Sequence, residues 1–181
     1  SRRQRQMCIR DRFNYCPHCG ASSIEIYDYH RLHCSQCDFV YFHNVATATA
    51  IIIRRGNELL FCVRNKEPML GKLDLPGGFV DPKESAEEGA QRELKEELNL
   101  DIPVENLRYY RSQPNKYLYK DVEYRTCDLA FIANFPENAA LNLEDNEIQS
   151  IRWIAMQDVN LQEIGFESLR RIVQQYIEEN K

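Results

Sequence analysis

The chain has 181 residues, of which 43% are hydrophobic and 28% are charged, a globular composition that excludes a disordered or collagen-like chain. The longest apolar stretch near a strand, Val45–Ile53, is too short to span a bilayer. The net charge of −5 argues against broad binding to nucleic-acid phosphates and suits a protein that recruits divalent cations. We therefore expect neither a membrane nor a nucleic-acid partner.

The segment Ser1–Arg12 is basic, with five arginines and no apolar periodicity. We interpret it as a non-native or disordered segment, because its run RRQRQMCIRDR resembles a translated sequencing-adapter scar. The alternative is a natural basic arm that binds an acidic partner. The segment has no apolar core of the length that a signal peptide needs, and we expect a cytoplasmic protein.

Two CxxC pairs follow, Cys16/Cys19 and Cys34/Cys37, separated by 14 residues. Each pair presents two thiolates from one turn, so two such turns can close a tetrahedral zinc site. The alternatives are two disulfides or unused thiols. His18 and His33 could each replace one ligand, but four cysteines complete the site without them.

Residues 13–43 are predicted to form this zinc ribbon. The segment is too small to hold a core by itself, so the metal should supply much of its folding energy. It lacks the basic face with which zinc ribbons grip nucleic acid. We therefore expect a structural or dimerising module, and with it a homodimer.

The remaining chain, 44–181, predicts strands interleaved with two helices, which indicates a mixed α/β layered domain. The expected elements are a strand Ala46–Arg55, a turn at Arg55–Asn57, a strand Glu58–Val63, a glycine-rich segment Leu70–Val80, a helix Ser85–Leu98, two or three strands within Arg108–Phe135, a strand Ile148–Ile154 and an amphipathic helix Glu167–Glu179.

The first predicted helix has three faces. Ser85 and Glu88 have the spacing of a capping box, and a stripe of Ala90, Leu94 and Leu98 forms the apolar face. Three glutamates, Glu93, Glu96 and Glu97, occupy an arc beside that stripe. A solvated acidic face is the plain alternative, but oxygen-rich clusters of this kind bind hard cations such as Mg²⁺ or Mn²⁺.

Together with the loop before it, this helix carries the pattern GX5EX7REUXEEXGU, where U is aliphatic. The pattern begins at Gly78 and runs through Glu84, Arg92 and the three glutamates to Leu100, and its single departure is Asn99 in place of glycine. The string resembles the Nudix box of the Nudix hydrolases. Asparagine is the next-best residue to glycine for a left-handed conformation, so we expect Asn99 at positive φ and an intact loop.

The resemblance implies a Nudix fold, in which a mixed β-sheet is sandwiched between helices, here preceded by the zinc ribbon. It also implies divalent-metal-dependent hydrolysis of the pyrophosphate bond in a nucleoside diphosphate linked to another moiety. The cofactors would be Mg²⁺ or Mn²⁺, with structural Zn²⁺ in the ribbon. A non-catalytic nucleotide-sensing or interaction module is the alternative, although an intact glutamate set favours an enzyme.

Residue roles follow from the same resemblance. Glu93, Glu96 and Glu97 would be catalytic and ligate the metal, together with a carbonyl from the Gly78 region. Glu84 and Arg92 would be structural. A downstream acidic ligand is expected at Glu147, with Asp145 and Glu144 as alternatives, and the general base stays open between Glu93, Glu96 and Glu147.

A zinc ribbon ahead of this domain resembles the NADH pyrophosphatase branch of the family. The motif SQPWPFPxS of that branch begins here as Ser112-Gln113-Pro114 but departs at Asn115 and Lys116. The predicted substrate-binding residues are Pro114, Tyr117 and Tyr119, with cross-strand packing of the tyrosines as the alternative. We rank a dinucleotide or ADP-sugar, of the NADH or ADP-ribose type, ahead of nucleoside triphosphates.

Overall fold

The computed structural model describes residues 13–27, 30–119, 122–143 and 147–181, so Ser1–Arg12 lies outside the described residues. The described chain forms two compact units: the first comprises residues 13–45 together with Val122 and Glu123, and the second comprises the rest. No helix of the described residues is long and apolar enough to cross a membrane.

The first unit is a three-stranded antiparallel sheet, with strands β1 (Ile24–Tyr27), β2 (Arg31–Cys34) and β3 (Val40–Phe42) in that order. Its buried side chains, among those described, are Cys16, Leu32 and Cys34. Three residues make a very small core, so burial alone stabilises this unit little.

The second unit contains six strands and two helices. They are β4 (Ala46–Arg55), β5 (Glu58–Arg64), β6 (Leu73–Asp74), α1 (Ala86–Leu98), β7 (Arg108–Tyr119), β8 (Val122–Asn134), β9 (Ile148–Ala155) and α2 (Glu167–Glu179). Short 3₁₀ turns lie at Val104–Asn106, Met156–Asp158 and Leu161–Glu163. The predicted strand in Glu58–Val63 extends one residue further, and the predicted helix from Ser85 begins one residue later because Ser85 is its N-cap.

The sheet is mixed, with strand order β6-β5-β4-β8-β7 and β9 paired to β5. β4 and β8 run parallel, in register from Ala46 opposite Thr126 to Arg54 opposite Asn134. β5 pairs with β9 in antiparallel fashion over most of its length. This pairing brings the start of β9 beside the end of β5, where the candidate site lies.

Alternate residues of β4 face opposite sides of the sheet, as the period of two requires. Ile51 and Ile53 belong to the apolar cluster that contains Ala90, Leu94 and Leu98 of α1. Ala50 and Ile52 belong to the cluster that contains Leu169, Ile172 and Val173 of α2. The sheet therefore lies between the two helices, and the predicted mixed α/β sandwich is confirmed.

Candidate active site

Both ends of α1 are fixed by local hydrogen bonds. Ser85 Oγ accepts the Glu88 N–H at 3.2 Å and Glu88 accepts the Ser85 N–H at 2.7 Å, which is the predicted capping box. At the other end Asn99 has φ 51° and ψ 32°, and its N–H bonds the Lys95 carbonyl at 3.1 Å. The predicted left-handed conformation of Asn99 is confirmed, and the helix ends where the box requires.

The loop before the helix leaves no room for a side chain at Gly77, which packs against β4, and little room at Gly78, which lies against the end of the Glu93 side chain. Gly77 has φ +137°, and a Cβ there would lie 2.3 Å from the Thr49 carbonyl oxygen. A Cβ on Gly78 would lie 2.4 Å from Glu93 Oε1. The Gly78 carbonyl accepts the Thr49 N–H at 2.8 Å, so the oxygen predicted to face a metal also ties this loop to the sheet.

Arg92 joins the loop to the acidic face of α1. Its guanidinium donates to both Glu84 oxygens, at 2.8 and 3.1 Å, and to the Phe79 carbonyl at 3.0 Å. The same group donates to Glu93 at 2.9 Å and to Glu96 at 3.0 Å. These bonds hold the pKa of Glu84 below its usual range. Arg92 therefore joins Glu84 and Phe79 of the loop to two glutamates of α1, and the structural role of Glu84 and Arg92 stays a prediction.

Glu97 and Glu93 point toward the loop and lie in surroundings that disfavour negative charge. Glu97 accepts the Gly77 N–H at 2.9 Å. Burial raises the pKa of Glu97 to about 8, the Gly77 bond opposes this, and the charge of Glu93 adds to it. Burial also raises the pKa of Glu93, with Arg92 lowering it. Like charges that raise a neighbour's pKa in this way favour a cationic partner.

Glu147 reaches the same cluster from the start of β9. Its charge contributes to the raised pKa values of both Glu93 and Glu97, and it lines the same cavity as they do. The side chain also forms an ion pair with Lys66. The alternatives Glu144 and Asp145 lie outside the described residues.

These side chains share one cavity of about 500 Å³, within the range of small-molecule sites. The predicted residues that line it are Gly78, Arg92, Glu93, Glu96, Glu97, Tyr117 and Glu147. Pro114 is exposed on the edge strand β7 and does not line it, whereas its neighbour Asn115 does. The side chain of Tyr119 lies outside the described residues.

Tyr117 packs among aromatic rings that come from other elements. Its ring stacks on Phe166 at 5.8 Å and meets the edge of Phe79 at 5.8 Å. Phe79 and Phe166 also line the cavity, and sequence reasoning did not select them. Phe79 could have been selected from the sequence because it directly follows the glycines of the box. No motif near Phe166 indicated that it lines the cavity.

A second group of lining residues was also missed, and it is polar: Arg64, Asp74, Thr126 and Asp128. They lie on β5, β6 and β8. The one available signal was Asp128, an acidic residue within the apolar run of a strand.

The donor set on the acidic side of the cavity fits a hard divalent cation. Carboxylate and carbonyl oxygens are the ligands that Mg²⁺ and Mn²⁺ prefer. Glu93, Glu96, Glu97 and Glu147 supply four carboxylates around one cavity, and the charge of Glu93 disfavours the ionised form of Glu97. A bound cation would relieve that repulsion.

In the first unit the four cysteines converge as predicted. Their Sγ atoms lie within 4.8 Å of one another, with 3.7 Å between Cys16 and Cys37 and between Cys19 and Cys34. A disulfide has an S–S distance of about 2.05 Å, whereas sulfurs around a tetrahedral zinc lie about 3.8 Å apart. The cluster is therefore compatible with zinc. His18 stacks on Phe39 and His33 contacts Asp38.

A mixed sheet between two helices, with a loop–helix–loop that presents glutamates to a cavity, defines the class of Nudix-fold proteins. The model of the NUDIX domain family matches residues 43–176. The chain belongs to the NUDIX family.

Individual relatives agree with this assignment. The NAD-capped RNA hydrolase NudC of Chromobacterium violaceum is 32% identical over 139 residues, which cover 77% of this chain and 49% of that protein. The chain thus spans about half the length of the curated relatives it matches.

Two solved structures share the fold. A NUDIX hydrolase from Nitrosomonas europaea superposes with a TM-score of 0.66 at 22% identity, covering 92% of each chain. The NUDIX domain of Shewanella oneidensis NrtR, solved in complex with ADP ribose, gives 0.61 at 21% identity and covers 77% of this chain and 91% of that one.

Proposed function

We propose that the chain hydrolyses the pyrophosphate bond of a nucleoside diphosphate linked to another moiety, of the dinucleotide or ADP-sugar type. The observation that carries the proposal is the convergence of Glu93, Glu96, Glu97 and Glu147 on one cavity of about 500 Å³. A nucleotide sensor would need the cavity but would not need four carboxylates that repel one another. The intact acidic set therefore favours an enzyme over a binding module.

In the proposed reaction the four glutamates and the Gly78 carbonyl would hold Mg²⁺ or Mn²⁺. The chemistry that the bound cations supply is neutralisation of the diphosphate and activation of a water molecule. Arg92 orients Glu93 and Glu96, and Gly77 orients Glu97. One of Glu93, Glu96 and Glu147 accepts the proton of the attacking water.

The substrate class rests on the relatives and on the shape of the cavity. The NudC relative is named for NAD-capped RNA, and the NrtR domain was solved with ADP ribose. Both ligands have a nucleoside diphosphate joined to a second moiety. The aromatic rings of Phe79, Tyr117 and Phe166 offer flat apolar surface for a base at one end of such a molecule.

The cysteine cluster is assigned to structural Zn²⁺ in the same proposal. The segment 13–43 would need the metal because only three of its described side chains are buried. A homodimer through this module stays a prediction, which light scattering of the whole chain would test.

The experiment is incubation of the chain with NADH, ADP-ribose, a nucleoside triphosphate and an NAD-capped RNA in Mg²⁺ or Mn²⁺, with products identified by mass. Release of mononucleotides from NADH or ADP-ribose supports the proposal, and the RNA arm tests the expectation of no nucleic-acid partner.

The decisive variant is Glu97→Gln, which is expected to lose most activity while α1 stays folded. Removing one charge from a like-charged cluster should, if anything, steady the metal-free helix. The matched control is Glu87→Gln, an exposed glutamate on the same helix, which should keep parental turnover. Wild-type turnover in Glu97→Gln contradicts the site assignment.

A further inference from the structure

One wall of the cavity carries polar side chains that the proposed hydrolysis does not use. Arg64, Asp74, Thr126 and Asp128 form it, and we call this set the buried polar wall. Asp128 is 6% exposed and Thr126 is 3% exposed, whereas the side chain of Glu96 on the acidic side is 55% exposed. The wall and the glutamates line the same cavity, so a substrate held by the glutamates lies beside the wall.

Arg64 contributes an unused hydrogen-bond donor. Its Nε donates to the Pro68 carbonyl at 2.7 Å, its Nη1 pairs with Asp74, and its guanidinium lies 5.1 Å from the ring centre of Phe166. Its Nη2 is buried and has no hydrogen-bond partner within the part of the chain that the structure describes. A buried N–H without an acceptor is costly, so this atom favours a ligand that brings one.

Asp128 contributes an acceptor on the same wall of the cavity. Its two oxygens take hydroxyl donors, from Thr126 at 2.7 Å and from Ser168 at 2.6 Å. A carboxylate offers about four lone-pair sites, so it can accept a further N–H from a ligand.

The charge balance of the wall selects the kind of ligand. Burial raises the pKa of Asp74, Arg64 lowers it, and the charge of Asp128 raises it further, and all three residues line the same cavity. The wall holds one guanidinium and two carboxylates, which leaves an excess of negative charge. A phosphate or carboxylate group is therefore disfavoured here, and an uncharged group with an N–H is favoured.

We propose that the buried polar wall, resting on the hydrolase function above, recognises a flat nitrogen heterocycle that carries an amino group next to an acceptor atom. The amino group donates to Asp128, and the neighbouring acceptor takes the free N–H of Arg64. Tyr117 and Phe166, whose rings stack at 5.8 Å, supply the apolar surface beside it. The adenine ring and the nicotinamide carboxamide both present this pattern, one at each end of NAD⁺.

The test compares kcat/KM for NAD⁺, nicotinamide hypoxanthine dinucleotide and nicotinic acid adenine dinucleotide. The first analogue replaces the adenine amino group by an oxygen, and the second replaces the carboxamide by a carboxylate. The parent should prefer NAD⁺ over one of them by about tenfold or more, since an unmatched buried polar group is strongly discriminating. The analogue that is rejected identifies which end occupies the wall.

The variant is Asp128→Asn, which keeps the shape of the side chain and removes its charge. It should raise KM for NAD⁺ about tenfold with kcat within about threefold of the parent. The ratio of kcat/KM for NAD⁺ to kcat/KM for the rejected analogue should fall close to one. Asp158→Asn, an exposed position outside the cavity lining, should keep both values. If Asp128→Asn does not fold, Arg64→Lys takes its place, because it keeps a positive charge for Asp74 and loses Nη2. The ratio of kcat/KM for NAD⁺ to kcat/KM for the rejected analogue is measured in the same way.

Equal hydrolysis of all three dinucleotides, or a preference that survives in the variant, overturns the inference while the proposed function stands. If none of them is hydrolysed, the proposed function rests on NADH and ADP-ribose, and it is overturned when these are not hydrolysed either. In that case calorimetric binding of AMP against IMP, and of nicotinamide mononucleotide against its acid, decides the inference separately. A preference for the amino-bearing member that Asp128→Asn abolishes supports it, and equal binding of both members of each pair overturns it.

Discussion

The amide of Gly77 donates a hydrogen bond of 2.9 Å to the carboxylate of Glu97, and this contact joins the loop before α1 to the last turn of the helix. The bond lowers the pKa of Glu97 and burial raises it, and the effect of burial is larger, so the pKa rises to about 8. The metal-free site is therefore poised to hold a proton where it is proposed to hold a cation. Binding of a divalent ion at neutral pH should release that proton.

The first prediction is a pH dependence of stability without metal. The pKa of Glu97 is about 8 in the folded state against a usual 4.5, so the folded protein binds the proton more tightly. The stabilisation of the folded state that comes from protonated Glu97 is fully present below about pH 4.5 and is lost as the pH rises through 8. In EDTA the melting temperature of Glu97→Gln should exceed that of the parent at pH 8 by about 3 °C or more, and the two should converge at pH 5.

Thermal denaturation at several pH values measures this, with Glu87→Gln as the control for a glutamate on the exposed face. Parallel curves for the parent and Glu97→Gln between pH 5 and 8 contradict the prediction.

The second prediction concerns Gly78→Ala. The added methyl would lie 2.4 Å from Glu93 Oε1, so the Glu93 side chain must move. We expect kcat/KM to fall about tenfold or more, which corresponds to about 1.4 kcal/mol. Gly71→Ala is the control. Its added methyl would meet no atom within 4 Å, but Gly71 has φ +76°, so this variant should lose stability and keep activity. Parental activity in Gly78→Ala would show that Glu93 tolerates displacement.

The third prediction tests the bridge made by Arg92. Lysine keeps the charge but cannot reach Glu84, Glu93 and the Phe79 carbonyl together. Arg92→Lys should therefore lower the free energy of unfolding by about 2 kcal/mol, measured by urea denaturation. Lys95→Ala, at an exposed position on the same helix, should change it by less than about 0.5 kcal/mol. Equal values for the two variants contradict the bridging role.

Elements with dense local signals could be predicted from the sequence, and α1 shows why. Its capping box, apolar stripe and left-handed end each depend on residues within one helix length. The buried polar wall could not be found this way, because Arg64, Asp74 and Asp128 come from three strands. Only the sheet order brings them to one cavity.

The side chains of β7 show a related limit. Motif spacing selected Pro114 together with Tyr117. Residues two apart share a face of a strand, so Asn115 and Tyr117 line the cavity. Pro114 points away, and its missing N–H fits an edge strand.

The fourth prediction is one zinc ion per chain, held by Cys16, Cys19, Cys34 and Cys37. Elemental analysis should find it, and a chelator should unfold residues 13–43 while the second unit, which has its own core, stays folded. Hydrogen exchange followed by mass spectrometry localises the change. Cys127→Ser, outside the cluster, should retain the zinc. Absence of zinc, or thiol titration that chelators leave unchanged, contradicts the assignment.

The last prediction concerns Asn99, the single departure from the Nudix box. It has φ 51°, a conformation that glycine adopts freely and asparagine adopts at small cost. Asn99→Gly should therefore leave activity unchanged and shift the free energy of unfolding by less than about 1 kcal/mol. Asn99→Val should cost more, because a β-branched residue resists positive φ. Its strain would act on the Asn99 and Leu100 amides, which bond the Lys95 and Leu94 carbonyls at 3.1 Å. Urea denaturation and turnover of the two variants test this, and a valine tolerated as well as glycine would show that the left-handed turn does not hold the end of α1.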